Sequence, residues 1–182
     1  SGMIAIYLDS VAVIGNTFDG QLYDGTGIAT GFMEKALIQN NRIYRYAEGI
    51  GASSGYADNP VRIYNNVISV QGERALTLGN RAEVYHNSLL NRNTNDQGYL
   101  YTSGFAAYDT VVTFQNNIFC NYGEGGVILG ENNIIRHSDY NAYFTVQDSF
   151  HVNFFTVEAK DLAEWRDSTG QDANSITANP FF

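Results

Sequence analysis

The sequence predicts an all-β solenoid, and three observations carry that reading. A six-residue motif recurs along the whole chain, its copies are spaced at about one solenoid coil, and a small residue followed by a short apolar strand precedes each copy. The motif is clearest as Ile63-Tyr64-Asn65-Asn66-Val67-Ile68. Variants are Val13-Ile14-Gly15-Asn16-Thr17-Phe18, Ile38-Gln39-Asn40-Asn41-Arg42-Ile43, Val84-Tyr85-His86-Asn87-Ser88-Leu89, Phe114-Gln115-Asn116-Asn117-Ile118-Phe119 and a degraded Ser138-Asp139-Tyr140-Asn141-Ala142-Tyr143. Aligned on the second Asn, the separations are 25, 25, 21, 30 and 24 residues, the period of a stacked repeat.

An apolar residue stands three before the key Asn in all copies but the last, and another stands two after it in all six. Two short strands meeting at a tight corner give this pattern. Asn suits such a corner because it tolerates the left-handed backbone region. Its amide can also bond to the amide one coil away, as in stacked β structures. A ladder of Asn16, Asn41, Asn66, Asn87, Asn117 and Asn141 is therefore expected to pin the register. The strand ahead of each corner comprises residues 4–8, Gly27-Ile28, Gly49-Ile50, residues 75–78, Phe105-Ala106 and residues 126–129. Each coil thus holds about three short strands.

On these residues the chain resembles the right-handed parallel β-helix superfamily, which includes pectate-lyase-like polysaccharide lyases, polygalacturonase-like hydrolases, mannuronan epimerases and phage tailspikes. The resemblance spans nearly all of the sequence. It implies a right-handed parallel β-helix, a carbohydrate-related role and an extracellular or cell-surface location, but no particular activity.

Length and composition fit one such domain over residues 1–182, with repeat coils in 1–155 and a capping segment in 156–182. The chain weighs 20.1 kDa and is 44% hydrophobic, enough for a continuous core. Ten Lys and Arg against 19 Asp and Glu give a formal charge of −9. That balance argues against nucleic acid, and against polyanionic glycans unless a cation bridges the two. Cys120 is the single cysteine, so no intrachain disulfide can form; a small, semi-buried side chain is expected there. No stretch has the length of a membrane span, so no membrane partner is expected.

The chain starts with Ser1-Gly2-Met3, which looks like a cloning scar followed by a start residue or an internal boundary, with no signal peptide. It enters as a strand whose alternation puts Ile4, Ile6 and Leu8 on one face. With no helix ahead of it, the first coil would expose unpaired backbone. Two expectations follow: the chain is the C-terminal part of a longer β-helix, or a second copy covers the first coil in a homodimer. Between Asn87 and Asn117 an insertion at residues 91–98 is expected to project as a polar loop. After Asn141, residues 157–167 are predicted to be a helix with Leu162 and Trp165 on one face and Gly170 as its stop. The tail Gly170-Gln171-Asp172-Ala173-Asn174-Ser175 and Asn179-Pro180-Phe181-Phe182 is similar to the closing segment of many bacterial β-helix proteins. Asp172 and Ser175 are read there as turn-forming side chains.

For chemistry, one polar column stands out seven residues before the ladder Asn: Asp9, Glu34, Asn59, Asn80 and Thr110, the last beside Asp109. It is either a solvated corner or the floor of a sugar groove along the Gly-Ile face, with Tyr7, Asp9, Glu34, Asp58, Tyr108 and Asp109 as contacts. The only cofactor considered is Ca²⁺, since oxygen clusters suit a hard cation. It would need Asp9 with Glu34, or Asp58 with Glu34 or Glu83, from adjacent coils. Eliminative cleavage of a uronide needs a base and an enolate-stabilising charge, and Arg74 with Tyr101 is the candidate pair. Hydrolysis needs two carboxylates flanking one bond; the adjacent Asp-Asp plus Gly-His element of the polygalacturonase-like families is missing, as is the Asp-Pro-His-Glu run of the epimerases. His86 sits just before a ladder Asn and is expected to serve the corner; His137 and His151 lack partners at metal-ligand spacing. The expected partner is therefore a polysaccharide or oligosaccharide. The alternative is a non-catalytic assembly module stacking through its first coil.

Overall fold

In the computed structural model the described residues are 2–6, 8–21, 25–54, 59–93, 103–123, 127–131, 134–146, 152–154 and 157–180; for 4–6, 103–110, 128–131, 134, 152–154 and 157–158 these are backbone only. They form a right-handed parallel β-helix with an Asn ladder and a short helix at its C-terminal end. Each coil carries three strands, one on each of three faces. The first face stacks Met3–Ile6, Thr26–Met33, Glu48–Ser54, Arg74–Tyr85, Ser103–Gln115, Ile128–Glu131 and Val152–Phe154. Ser10–Ile14, Lys35–Gln39 and Val61–Tyr64 open the second face, which continues along residues 81–85, 111–115 and Ile134–Asp139. On the third lie Thr17–Asp19, Arg42–Tyr44, Val67–Val70, Ser88–Asn91, Ile118–Asn121, Ala142–Thr145 and Ile176–Thr177.

Alternation along each strand sends every second side chain inward, and stacked coils bring like positions into columns. Val13, Ile38, Ile63, Val84 and Phe114 form one column. Ile43, Ile68, Leu89, Phe119 and Tyr143 form another. All are buried, each contributing roughly 1.5–3 kcal/mol. The Phe119 and Tyr143 rings stack at 5.3 Å, and Phe114 meets Phe119 edge-on at 5.8 Å. The small residues of the first face are required by close packing: a Cβ on Gly49 would lie 2.3 Å from Ile68 Cγ2 and 2.4 Å from the Ala75 carbonyl oxygen.

The ladder is present at all six expected positions. Asn16 Nδ2 donates to Asn41 Oδ1 at 3.3 Å, Asn41 to Asn66 at 3.0 Å, Asn66 to Asn87 at 3.0 Å, Asn87 to Asn117 at 3.1 Å and Asn117 to Asn141 at 3.2 Å. Each acceptor oxygen also takes the backbone N–H of the same neighbouring Asn, at 2.9–3.0 Å. From Asn41 onward each amide further donates to the carbonyl three residues before the neighbouring ladder Asn, as Asn66 does to Ile38. Asn41 to Asn141 are buried, whereas Asn16 is exposed.

The left-handed corner falls one residue earlier than expected. It is adopted by Gly15, Asn40, Asn65, His86, Asn116 and Tyr140, with φ between 51° and 71°, and not by the ladder Asn itself. The turn residue points its side chain to solvent, so the following residue is the one that faces inward and can ladder. Asn65 Nδ2 reaches Asn40 Oδ1 at 2.7 Å, a second, exposed Asn contact beside the first. His86 takes the corner conformation, and its backbone N–H donates to Gln115 O at 3.2 Å.

At the C-terminal end the ladder is terminated by Asp172 and Ser175, whose roles exceed turn formation. Asn141 donates its backbone N–H to Ser175 Oγ at 2.8 Å and its amide to Asp172 Oδ1 at 3.1 Å. The Asp172 carboxylate, 1% exposed, also accepts from Trp165 Nε1 at 2.8 Å, from Tyr143 OH at 3.1 Å and from the Ser138 and Ser175 hydroxyls. Burial, then the Asp172 charge, holds the Tyr143 phenol far above its ordinary pKa, so it remains a donor. The helix occupies Leu162–Thr169 and starts later than predicted, because Val157–Ala159 pairs antiparallel with Val152–Phe154. Asp161 Oδ1 accepts from Glu164 N and Glu164 Oε2 from Lys160 N, a carboxylate-capped start. Leu162 and Trp165 are buried and Gly170 stops the helix with φ 66°.

Two further expectations change. Asn91 and Asn93, the start of the expected projecting loop, are buried. Asn91 ends the strand Ser88–Asn91, its Oδ1 accepts from Asn93 N at 2.9 Å, and its Nδ2 donates to Glu73 O at 2.9 Å; residues 94–98 lie outside the described residues. In the first strand the register pairs Met3 with the buried Ile28, and Ile4 and Ile6 with Ala29 and Gly31. Leu8 is exposed. Cys120 is wholly buried, and burial pushes its thiol up to about 11. Among the described residues no helix is long and apolar enough to cross a membrane.

Replacing Asn66 by Ala strands donors and an acceptor in the core and is expected to cost about 2–4 kcal/mol. Asn16→Ala, at the exposed end, should cost under about 1 kcal/mol, and Asp172→Ala about 3–5 kcal/mol through the donors it leaves unpaired; urea unfolding ranks the three. Asp139 gives an acid-side test. Burial raises its pKa, but hydrogen bonds from the Asn174 side chain and backbone and from Tyr140 N outweigh it and hold it below the usual carboxylate value. The stability it supplies is complete above the unfolded-chain value of about 4 and is lost as pH falls through the lower native one. The stability gap between wild type and Asp139→Asn, measured by urea unfolding, should therefore close below about pH 4.

Candidate functional site

The same register that builds the core lines up outward side chains on the second face. Two residues before each ladder Asn stand Ile14, Gln39, Tyr64, Tyr85 and Gln115, paired in sequence across five coils. Four residues before it stand Ala12, Leu37, Arg62, Glu83 and Thr113. Tyr64 and Tyr85 stack, with centroids 5.3 Å apart and planes 29° from parallel. Tyr64 OH donates to Glu83 Oε2 at 2.9 Å, and Arg62 Nε lies 3.3 Å from the same oxygen. One carboxylate thus holds both a phenol and a guanidinium.

Burial, then the hydrogen bond to Glu83 and its charge, pushes the Tyr64 phenol far above its ordinary range. Tyr85 is raised as well, by burial and then by the Glu83 charge. Both phenols are protonated at neutral pH. Beside Tyr64, on the side away from Tyr85, a cleft of about 470 Å³ is lined by Lys35, Leu37, Gln39, Asn59, Arg62 and Tyr64 among others. One ring face therefore meets a second ring, and Tyr64 is also among the residues that line the cleft. Its volume and mixed apolar and polar lining are those of a small-ligand site.

Of the sequence-predicted residues, Asp9 and Glu34 do come to one corner: Lys35 N donates to Asp9 O at 3.0 Å and Glu34 N to Leu8 O at 3.4 Å. Both are exposed and immediately precede the cleft residues Ser10 and Lys35. Register continues their column to Asn59 and Asn80, and the Asn80 amide donates to the Ser54 carbonyl. Arg74 opens Arg74–Tyr85 on the first face, half-buried and in register with Glu48 and Ser103. Its expected partner Tyr101 lies outside the described residues, as do Tyr7 and Asp58; Tyr108 and Asp109 fall in residues 103–110, where only the backbone is described. For the Ca²⁺ expectation, Glu83 is already engaged by Arg62 and Tyr64, and among the described residues no three His, Cys, Asp or Glu side chains gather as a metal set. Gly51-Ala52-Ser53-Ser54-Gly55 has the spacing of a nucleophile elbow, but Ser53 lies within the strand Glu48–Ser54 and not at a strand-to-helix turn.

Tyr64, Tyr85 and Arg62 were not singled out by the sequence reading, and Glu83 was considered only as a Ca²⁺ ligand. The signal was nonetheless in the repeat alignment, where the positions two and four before the ladder Asn become Tyr-Tyr and Arg-Glu in neighbouring coils. Comparison with family models, curated proteins and solved structures finds no match to this chain.

The raised Tyr64 phenol sets an alkaline test. The unfolded chain loses that proton first, near pH 10, so the stability Tyr64 supplies through Glu83 is complete below about pH 10 and falls as pH rises beyond it. The stability difference between wild type and Tyr64→Phe should hold up to about pH 10 and shrink above it, as read by urea unfolding across that range.

Proposed function

We propose that the chain is a carbohydrate-binding module that seats a sugar ring in the second-face cleft against Tyr64. The observation that carries this is the two-ring stack ending at a cleft. In the column Ile14, Gln39, Tyr64, Tyr85, the aromatic pair stops at Tyr64, and the next position, Gln39, offers an amide at the cleft wall. A pyranose has an apolar face to lay on an aromatic ring and hydroxyls for amides and charged groups. Gln39, Asn59 and Arg62 supply those polar partners. The superfamily resemblance, with its carbohydrate-active members, supports the same ligand class by analogy.

Recognition without cleavage is the form this reading takes. Hydrolysis would need a carboxylate pair across one bond, and Glu83 is committed to Tyr64 and Arg62. The test is a polysaccharide panel, neutral and acidic, with and without Ca²⁺, followed for binding, for ultraviolet-absorbing unsaturated products and for loss of polymer length. Binding with neither product formation nor shortening is expected, and Tyr64→Ala should weaken it at least about tenfold. Tyr101→Ala and Asp109→Ala locate the groove independently: if they abolish binding and Tyr64→Ala does not, the site lies along the Gly-Ile face and this reading fails. Unsaturated products would instead establish a lyase and direct attention to Arg74 and Tyr101.

A further inference from the structure

We infer that Glu83 is the specificity-determining residue of this cleft, and that by compensating Arg62 and occupying the Tyr64 hydroxyl it selects an uncharged sugar over an anionic one. The inference rests on the saccharide reading and deepens it. Four observations support it. First, Arg62 has the reach and exposure to meet a ligand, its side chain being 56% exposed, but its Nε is paired with Glu83 at 3.3 Å. A guanidinium already facing a carboxylate offers far less to a second one.

Second, Tyr64 OH spends its only proton on Glu83, so its oxygen keeps only lone pairs for a ligand. A sugar hydroxyl can donate to it; a carboxylate cannot, and is repelled. Third, beside Lys35 and Ser10 the wall carries Gln39 and Asn59, neutral amides that serve hydroxyls as donor or acceptor. Fourth, the surrounding charge does not favour an anion. Lys35 and Arg62 are positive, while Glu83 and the exposed corner pair Asp9 and Glu34 are negative. The chain as a whole carries a formal charge of −9, which repels a polyanion at long range.

Removing the Glu83 charge while keeping its shape should convert the cleft. In Glu83→Gln the amide oxygen can still accept from Tyr64, but Arg62 is released to an incoming carboxylate. The probes are cellohexaose, mannohexaose and xylohexaose as neutral ligands and hexagalacturonate as the anionic one, titrated calorimetrically into the full chain at low and moderate salt. Wild type is expected to bind at least one neutral probe and to bind hexagalacturonate at least about tenfold more weakly. Glu83→Gln should hold the neutral affinity within about threefold and raise the hexagalacturonate affinity about tenfold, with a stronger salt dependence. The gain should vanish in the Arg62→Gln/Glu83→Gln double variant.

Arg62→Gln alone is the second, independent variant. It leaves an uncompensated carboxylate and removes one polar partner, so it should depress hexagalacturonate binding further than it depresses neutral binding. Thermal unfolding checks that each variant is folded. Equal wild-type affinity for the neutral and anionic probes, an unchanged ratio in Glu83→Gln, or tighter hexagalacturonate binding in Arg62→Gln overturns the selectivity inference while leaving the saccharide site standing. Silence of wild type towards all four probes overturns both.

Discussion

The buried amide of the corner Asn is the interaction on which the rest of this molecule depends. An unpaired amide in an apolar interior costs several kcal/mol, so each coil can stack on the next only where its Asn meets the neighbour's. The acceptor oxygen takes two N–H groups from one neighbouring coil, and the amide donates both to the next ladder oxygen and to a core-strand carbonyl. A slip of one residue would break all of these at once and turn every core side chain outward. The hydrophobic columns supply most of the stabilisation, and a slip of two residues would keep their alternation; the Asn ladder tolerates neither slip. Stability in such a stack is carried coil by coil, which is why the ladder's end needs its own partner. Asp172 and Ser175 provide it, and Trp165 secures Asp172 in turn.

The outer surface inherits this order. Because the ladder fixes register, a residue two positions before one Asn lies beside its counterpart in the next coil. Loop lengths vary between coils, with ladder separations from 21 to 30 residues, yet the second face stays aligned because the variation is absorbed before its strands begin. Tyr64 and Tyr85 can therefore stack, and Arg62 and Glu83 can pair, with no dedicated framework of their own. The candidate site is thus a set of substitutions on a surface whose geometry was already set by the corners.

Much of this was legible in the sequence. Six Asn at near-regular spacing gave the ladder, the apolar residues around them gave the strands, and the polar column from Asp9 to Asn80 follows directly from the same alignment. The misread features share a cause: periodicity defines spacing but not phase. Asn40-Asn41 and Asn65-Asn66 contain two residues able to adopt the left-handed corner, and only the packing shows that the first turns and the second ladders. Residues 157–159 suit helix or strand, and the open edge of Val152–Phe154 captures them before Asp161 can cap the helix. The Tyr64 site was overlooked for a different reason. Attention to charged and catalytic-looking residues favours rare side chains, whereas this site is built from two positions of an ordinary repeat that change character for two coils.

That origin bears on how selectivity can work here. A catalytic cleft concentrates unpaired charge, and a surface column cannot easily do so, because each charged residue has a neighbour in the next coil at strand spacing, about 4.8 Å away. Placing Arg next to Glu at that distance makes pairing the default, and a Tyr in the adjoining column adds its proton to the same carboxylate. The pair is partly exposed, so its contribution to stability is small; what it changes is the chemistry left facing solvent. A compensated guanidinium and a phenol with only its lone pairs free are poor partners for an anion and adequate ones for a hydroxyl. Under the proposed reading, a neighbour-pairing rule imposed by the fold, and not a specially shaped pocket, is what would bias the cleft towards neutral sugar. By the same logic, changing a single member of the Arg62–Glu83 pair would alter ligand preference without disturbing the stack beneath it, since neither residue takes part in the ladder or the core.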